Sequence, residues 1–220
     1  MIRKISLILT VVLLFTCLAA CGEEVIVNRE YNKNEVIAAA KTLIKKSESL
    51  NTLLWGEGIK YDPLNAPDSS GYYYRADEFS LSSYGIETVE DIENLVRDAF
   101  SEGYSNDVIA SSVFTSAKDS TGNLVYFARY QQKGEVGSPE YILVYSKWEP
   151  FLFDAVTYDY STIRDTGAVG EQVFVEIDCT VTDSETEKSE KRTVKVALIE
   201  EKDGWKIDSP TYCEINPEKE

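Results

Sequence analysis

The chain has 220 residues, 38 of them acidic and 22 basic, and a formal net charge of −16. That balance repels phosphate backbones and anionic headgroups, so nucleic acid is not an expected partner. Histidine is absent, which excludes His-based triads, His-based zinc sites and the usual general base near neutral pH.

Arg3 and Lys4 open the chain, and no charge follows between Ile5 and Ala20. A basic start followed by a short apolar run is the make-up of a secretory leader. A retained membrane helix needs roughly 20 apolar residues, more than this run supplies. The leader ends in Leu18-Ala19-Ala20-Cys21, which resembles the lipobox of bacterial lipoprotein precursors. The resemblance implies cleavage between Ala20 and Cys21 and a diacylglyceryl group on the Cys21 thiol. It also implies residence in the bacterial cell envelope, lipid-anchored to the membrane on the extracytoplasmic side. Two or more acyl chains hold a protein stably where one does not. Plain secretion after Ala20 and an uncleaved anchor are the alternatives. On this reading residues 1–20 are the signal peptide and 21–32 a lipidated N-terminus and flexible tether. A single domain covers 33–214, and 215–220 is an acidic tail.

The first long element is a helix over about 33–55. Val36, Ala40, Leu43, Ser47, Leu50 and Leu54 recur at spacings of four and three, and Ile37, Ile44 and Leu53 widen the stripe. Asn32 with Glu35 reads as its N-cap, and Gly56 as its stop. Residues 56–87 are rich in turn formers and read as irregular, with Tyr72-Tyr73-Tyr74-Arg75 a short strand or an ordered loop. A second helix starts at Thr88, with Asp91 completing a capping box, and ends at Gly103. Ser105 is expected to cap a third.

From Asn123 the pattern turns to strands: about 124–131, 141–148 and 155–164, with a turn at Asp165-Thr166-Gly167 and Gly170. Val173, Val175, Ile177, Cys179 and Val181 then alternate with polar or aromatic residues. Val194, Val196 and Leu198 alternate with Thr193, Lys195 and Ala197 after a polar hairpin, and Asp203-Gly204 turns the chain into Trp205 and Ile207. Strands joined by short turns predict an antiparallel meander with one buried face.

The fold class is therefore α+β, with N-terminal helices packed on a curved antiparallel β-sheet. The closing segment from Leu198 to Asp208, with Asp203-Gly204-Trp205-Lys206-Ile207 at its end, resembles the last hairpin of the NTF2-like (cystatin-like) family. The resemblance spans roughly residues 33–212 and implies an NTF2-like cone, in which the long helix lies in the concave face of the sheet. The stretch 56–87 departs from the family, and no catalytic motif of its enzymatic members can be matched.

Two cysteines remain once Cys21 is acylated. Cys179 and Cys213 either form a disulfide or stay as two buried thiols. In a simple meander they sit on next-but-one strands about 10 Å apart, beyond the roughly 7 Å that a disulfide spans; Pro210 could bend the chain and bring them together. Trp55, Tyr72, Tyr74, Tyr126 and Tyr158 are the candidates for pocket lining, against the alternative of ordinary aromatic packing. Tyr73, Tyr130 and Tyr160 belong to the same aromatic set. Asp154, Asp159, Asp165 and Arg164 are candidates for acid–base or ion-pair chemistry, against a solvated strand edge. No catalytic residue, metal ligand or cofactor is assigned.

These readings favour a lipid-anchored extracytoplasmic binding or accessory protein without catalytic activity. Its partners would be the membrane, through the Cys21 lipid, and a small molecule, peptide or envelope protein. The alternatives are a small enzyme using Asp, Glu and Tyr in the cone, and a structural or scaffold protein, with a homodimer as one form.

Overall fold

A computed structural model describes residues 30–134, 140–150, 155–182 and 186–212. The leader, Cys21, the tether up to residue 29, Asp154, Cys213 and the acidic tail lie outside the described residues.

Helix α1 (Lys33–Leu54) starts where the Asn32 side chain accepts from the Asn34 and Glu35 amides, which satisfies donors that a helix start leaves open. Its apolar stripe is buried as expected: Val36, Ala40, Leu43, Ile44, Leu50, Leu53 and Leu54 face inward. They pack on a four-stranded antiparallel meander of β6 (Ala155–Val169), β7 (Gln172–Thr182), β8 (Ser189–Glu201) and β9 (Gly204–Ile207). The alternation predicted for β7 holds at each position, with Val173, Val175, Ile177, Cys179 and Val181 inside. Val194, Val196, Leu198 and Ile207 complete that face, and one continuous apolar cluster fills the space under α1.

Earlier strands do not join this sheet. β1 (Tyr73–Arg75), β4 (Tyr130–Lys133) and β5 (Tyr141–Tyr145) form a separate three-stranded sheet in the order β1-β5-β4. β2 (Ala117–Lys118) and β3 (Leu124–Tyr126) form a two-stranded hairpin. The single curved sheet expected is thus divided among three sheets.

Local boundaries shift for identifiable reasons. The stretch expected to be irregular holds β1 and a short helix, α2 (Glu78–Tyr84), capped by Asp77 and ended by Gly85 in the left-handed region. Helix α3 (Val89–Ala99) carries the Thr88–Asp91 capping box as predicted, but it ends at Phe100, before Gly103. Ser101, not Ser105, caps the next turn, α4 (Glu102–Tyr104), through the Tyr104 amide. That turn runs on into a π-helical segment, Ser105–Phe114. The expected strand 124–131 breaks in two, because the Arg129 amide turns to the Val113 carbonyl. Asp165-Thr166-Gly167 is not a turn: β6 runs through it with a bulge.

The C-terminal end of α1 is held by a strand of the other sheet. The helix has no basic residue in its last turn. The Tyr130 hydroxyl donates to the Leu53 carbonyl (2.7 Å) and Arg129 Nη2 donates to the Gly56 carbonyl (2.7 Å). Gly58, at φ +60°, lies against both; a Cβ there would stand 2.2 Å from Arg129 Nη2 and 2.3 Å from the Tyr130 hydroxyl. Left-handed strain and overpacking each cost about 1–3 kcal/mol. Gly58→Ala is therefore expected to lose more than about 2 kcal/mol in urea denaturation, and a loss under about 0.5 kcal/mol would refute this packing.

Candidate functional site

The outer face of the meander carries a recess. On β7, Glu176, Asp178 and Thr180 point away from the core because their neighbours point in. β8 places Lys195, Thr193 and Lys191 opposite them. β6 supplies Asp159, paired with Asp178, and Arg164, paired with Glu176. Five steps of β6 thus face two of β7, and the surplus residues loop out. Asp159 anchors the loop by accepting from the Ser161 amide (3.0 Å), and Thr162 Oγ1 accepts from the Asp178 amide (2.9 Å) in place of a strand partner. The distortion leaves a groove of about 410 Å³, lined by Asp159, Thr162, Asp178, Thr180, Lys191 and Thr193 among others.

The electrostatics of this groove suit ionic and hydrogen-bonding contacts. Arg164 bridges Glu176 (Nη2, 2.8 Å) and Asp178 (Nη1, 3.1 Å). The Thr193 hydroxyl and Arg164 hold the Asp178 carboxyl below its ordinary range. Hydrogen bonds from Ser161 do the same for Asp159. A dyad that works as acid and base needs its two pKa values pushed apart; these two move the same way, and both carboxylates stay ionised at neutral pH.

A second feature lies on the three-stranded sheet. Phe127 and Tyr145 stack face to face, with centroids 4.8 Å apart and planes 5° from parallel. Tyr72 meets Phe127 edge-on at 5.1 Å and is 43% exposed. Tyr73 is buried beneath, donating to the Ala128 carbonyl (2.8 Å). Val125 and Tyr126 extend the exposed apolar surface along the chain.

The residues proposed as pocket lining do not converge. Trp55 is buried in the core, edge-to-face with Tyr212. Tyr158 faces inward from β6 and donates to the Thr211 carbonyl, and Tyr160 donates to Glu48 on α1. Tyr74 stacks on Tyr61 at 5.0 Å. Tyr126 donates to the Ser112 carbonyl. Tyr130 is buried, and burial pushes its hydroxyl up to about 12, so it stays a donor. Only Tyr72 belongs to a cluster of rings with an open edge, and its partners Phe127 and Tyr145 have no motif that singles them out.

Asp165 sits apart from Asp159. It faces α1, where it accepts from the Tyr31 hydroxyl (2.6 Å) and pairs with Lys33 (2.7 Å). The outer groove depends on Asp178, Thr193 and Lys191, which the alternation puts on a solvent face without showing what stands opposite. Comparison with protein-family models and with curated proteins returned no match to the chain.

Burial raises the Asp165 carboxyl, but the bonds from Lys33, Tyr31 and the Gly167 amide outweigh it and hold the group below its ordinary value. A depressed carboxylate contributes stability that is fully present above the unfolded pKa, near 3.9. That contribution is lost as pH falls through the lower folded value. Asp165→Asn should flatten the decline in melting temperature measured between pH 5 and about pH 2. An unchanged decline would show that this pair does not couple the N-terminal end of α1 to the sheet.

Proposed function

We propose that the chain is a lipid-anchored, extracytoplasmic binding or accessory module of the bacterial cell envelope, built on an NTF2-like core. The observation that carries this reading is Leu18-Ala19-Ala20-Cys21 at the end of a run without charge from Ile5 to Ala20. Support for the core comes from α1 lying across the inner face of β6–β9 and from the closing hairpin turned at Asp203-Gly204. The space beneath α1 is filled by Leu50, Leu53, Ile177, Val196 and Leu198. Recognition is therefore assigned to the outer faces: the polar groove between β6 and β8 and the aromatic face around Tyr72. Fixed, ionised side chains beside threonine hydroxyls suit a polar small molecule, a peptide or an envelope protein, bound without proton transfer. In cells, Cys21→Ala should move the protein from the membrane fraction to the soluble fraction. Retention in carbonate-washed membranes would defeat the lipoprotein reading.

The same location permits a disulfide between Cys179 and Cys213. Cys179 is buried on the inner face, paired across the ladder with Tyr158. The Tyr158 hydroxyl reaches the Thr211 carbonyl. After Ser209 the chain leaves the sheet, and Thr211 packs on α1 through Asn51 (2.9 Å) and Ser47 (2.8 Å). That route is not the simple meander from which the separation of about 10 Å follows. Non-reducing peptide mapping is expected to recover a 179–213 cross-linked pair. Two alkylatable thiols in the unfolded protein would show the cysteines unbridged.

A further inference from the structure

Arg129 is among the largest side chains wholly inside the protein, at 1% exposure. Its place is fixed from both sides, with its amide on the Val113 carbonyl (2.7 Å) and its carbonyl on the Tyr145 amide (2.9 Å). The guanidinium lies over the ring of Trp148 (4.8 Å to the centroid) and beside that of Tyr130 (5.2 Å). The Gly56–Gly58 loop closes against it. Nη2 uses the Gly56 carbonyl, but Nε and Nη1 are inaccessible to solvent and have no acceptor among the described residues. The indole Nε1 of Trp148 is in the same condition.

A buried cation is costly unless paired, and a buried donor without an acceptor costs about 1–3 kcal/mol. The negative pole of α1 supplies only about half a charge. The two aromatic faces add a weaker attraction. Burial lowers the guanidinium from its ordinary value, yet arginine stays charged in proteins. Among the described residues Arg129 and Trp148 thus present buried donors that lack an acceptor.

We propose that Arg129 and Trp148 form a binding site for one small monovalent anion, a halide or a compact carboxylate, beside the C-terminal end of α1. With Arg129 at 1% exposure, only a compact anion can reach it, and a bulky polyhydroxy acid serves as the control. The carboxylate arm covers a ligand of the envelope that presents a compact acid group; the halide arm covers a structural ion.

The test uses the purified full chain in detergent, melted in sodium bromide, sodium formate or sodium gluconate at one ionic strength. Bromide or formate at about ten times its dissociation constant should raise the melting temperature by about 3–6 °C over gluconate. Response to formate alone assigns the carboxylate arm, and response to bromide assigns the halide arm. In Arg129→Met the three salts should give equal melting temperatures. Equal melting of the wild type in all three, or an undiminished anion response in the variant, overturns the proposal. Should the variant not fold, crystals of the wild type grown in bromide decide the halide arm by anomalous scattering, and crystals grown in formate decide the carboxylate arm by density. An anion against Nε or Nη1 upholds the site, and water there in both overturns it.

Discussion

Helix α1 on the inner face of the β6–β9 meander is the contact on which the other elements depend. Fully burying a leucine or isoleucine contributes about 1.5–3 kcal/mol, and α1 buries Ile44, Leu50, Leu53 and Leu54 along one stripe. The helix also touches β6, β7, β9 and α3, so a shift in its axis would be felt in all of them. Its polar contacts fix where it stops and which way it lies. At the N-terminal end Asp165 gathers Lys33 and Tyr31. In the middle Ser47 and Asn51 hold Thr211. At the C-terminal end Tyr130 and Arg129 reach over from the three-stranded sheet. A second helix is tied by similar means: Lys206 of β9 donates to the Arg97 carbonyl at the end of α3 (2.8 Å), where a cation meets the negative pole.

Filling the interior in this way leaves the groove and the aromatic face on the outer surfaces. The carboxylates of the outer groove are compensated by Arg164 and by hydroxyls, which fixes their orientation and keeps them charged. The aromatic face on the other sheet differs in kind, since Phe127 and Tyr145 support Tyr72 from behind and leave its edge to solvent. Arg129 and Lys206 depart from the sorting of charge outward. Through Nη2, Arg129 ties the loop after α1 to the start of β4.

The parts of the fold legible in the sequence were those governed by a single period or a single cap. The stripe of α1, the Thr88–Asp91 box and the alternation of β7 each express a local rule and appear at the expected residues, whereas on β8 Ala197, expected on the outer face, is buried with Val196 and Leu198. Helix α2 was hidden because its seven residues carry one apolar side on a turn-rich background, and Phe79 even points to solvent. The split at 126–130 was hidden because strand propensity continues through Phe127 and Ala128 while the partner changes. Of the candidate site, Asp159 and Arg164 could be picked as residues. Their relation could not, because the β6 bulge sets which residues of β7 they face.

By itself the sequence determined a helical first half and a strand-rich second half, the buried face of most long elements, the strongly acidic composition and the basic-then-apolar start that motivates the lipid-anchor proposal. These follow from composition, period and short motifs, which act over a few residues. The tertiary structure alone decided that the strands divide among three sheets and that Trp55 packs in the core. It alone decided that Asp159 meets Asp178 while Asp165 meets Lys33, and that Arg129 closes the end of a helix more than seventy residues earlier in the chain. Each of these depends on which distant segments share a surface. That choice is made by the summed burial of many side chains, and no local pattern records it.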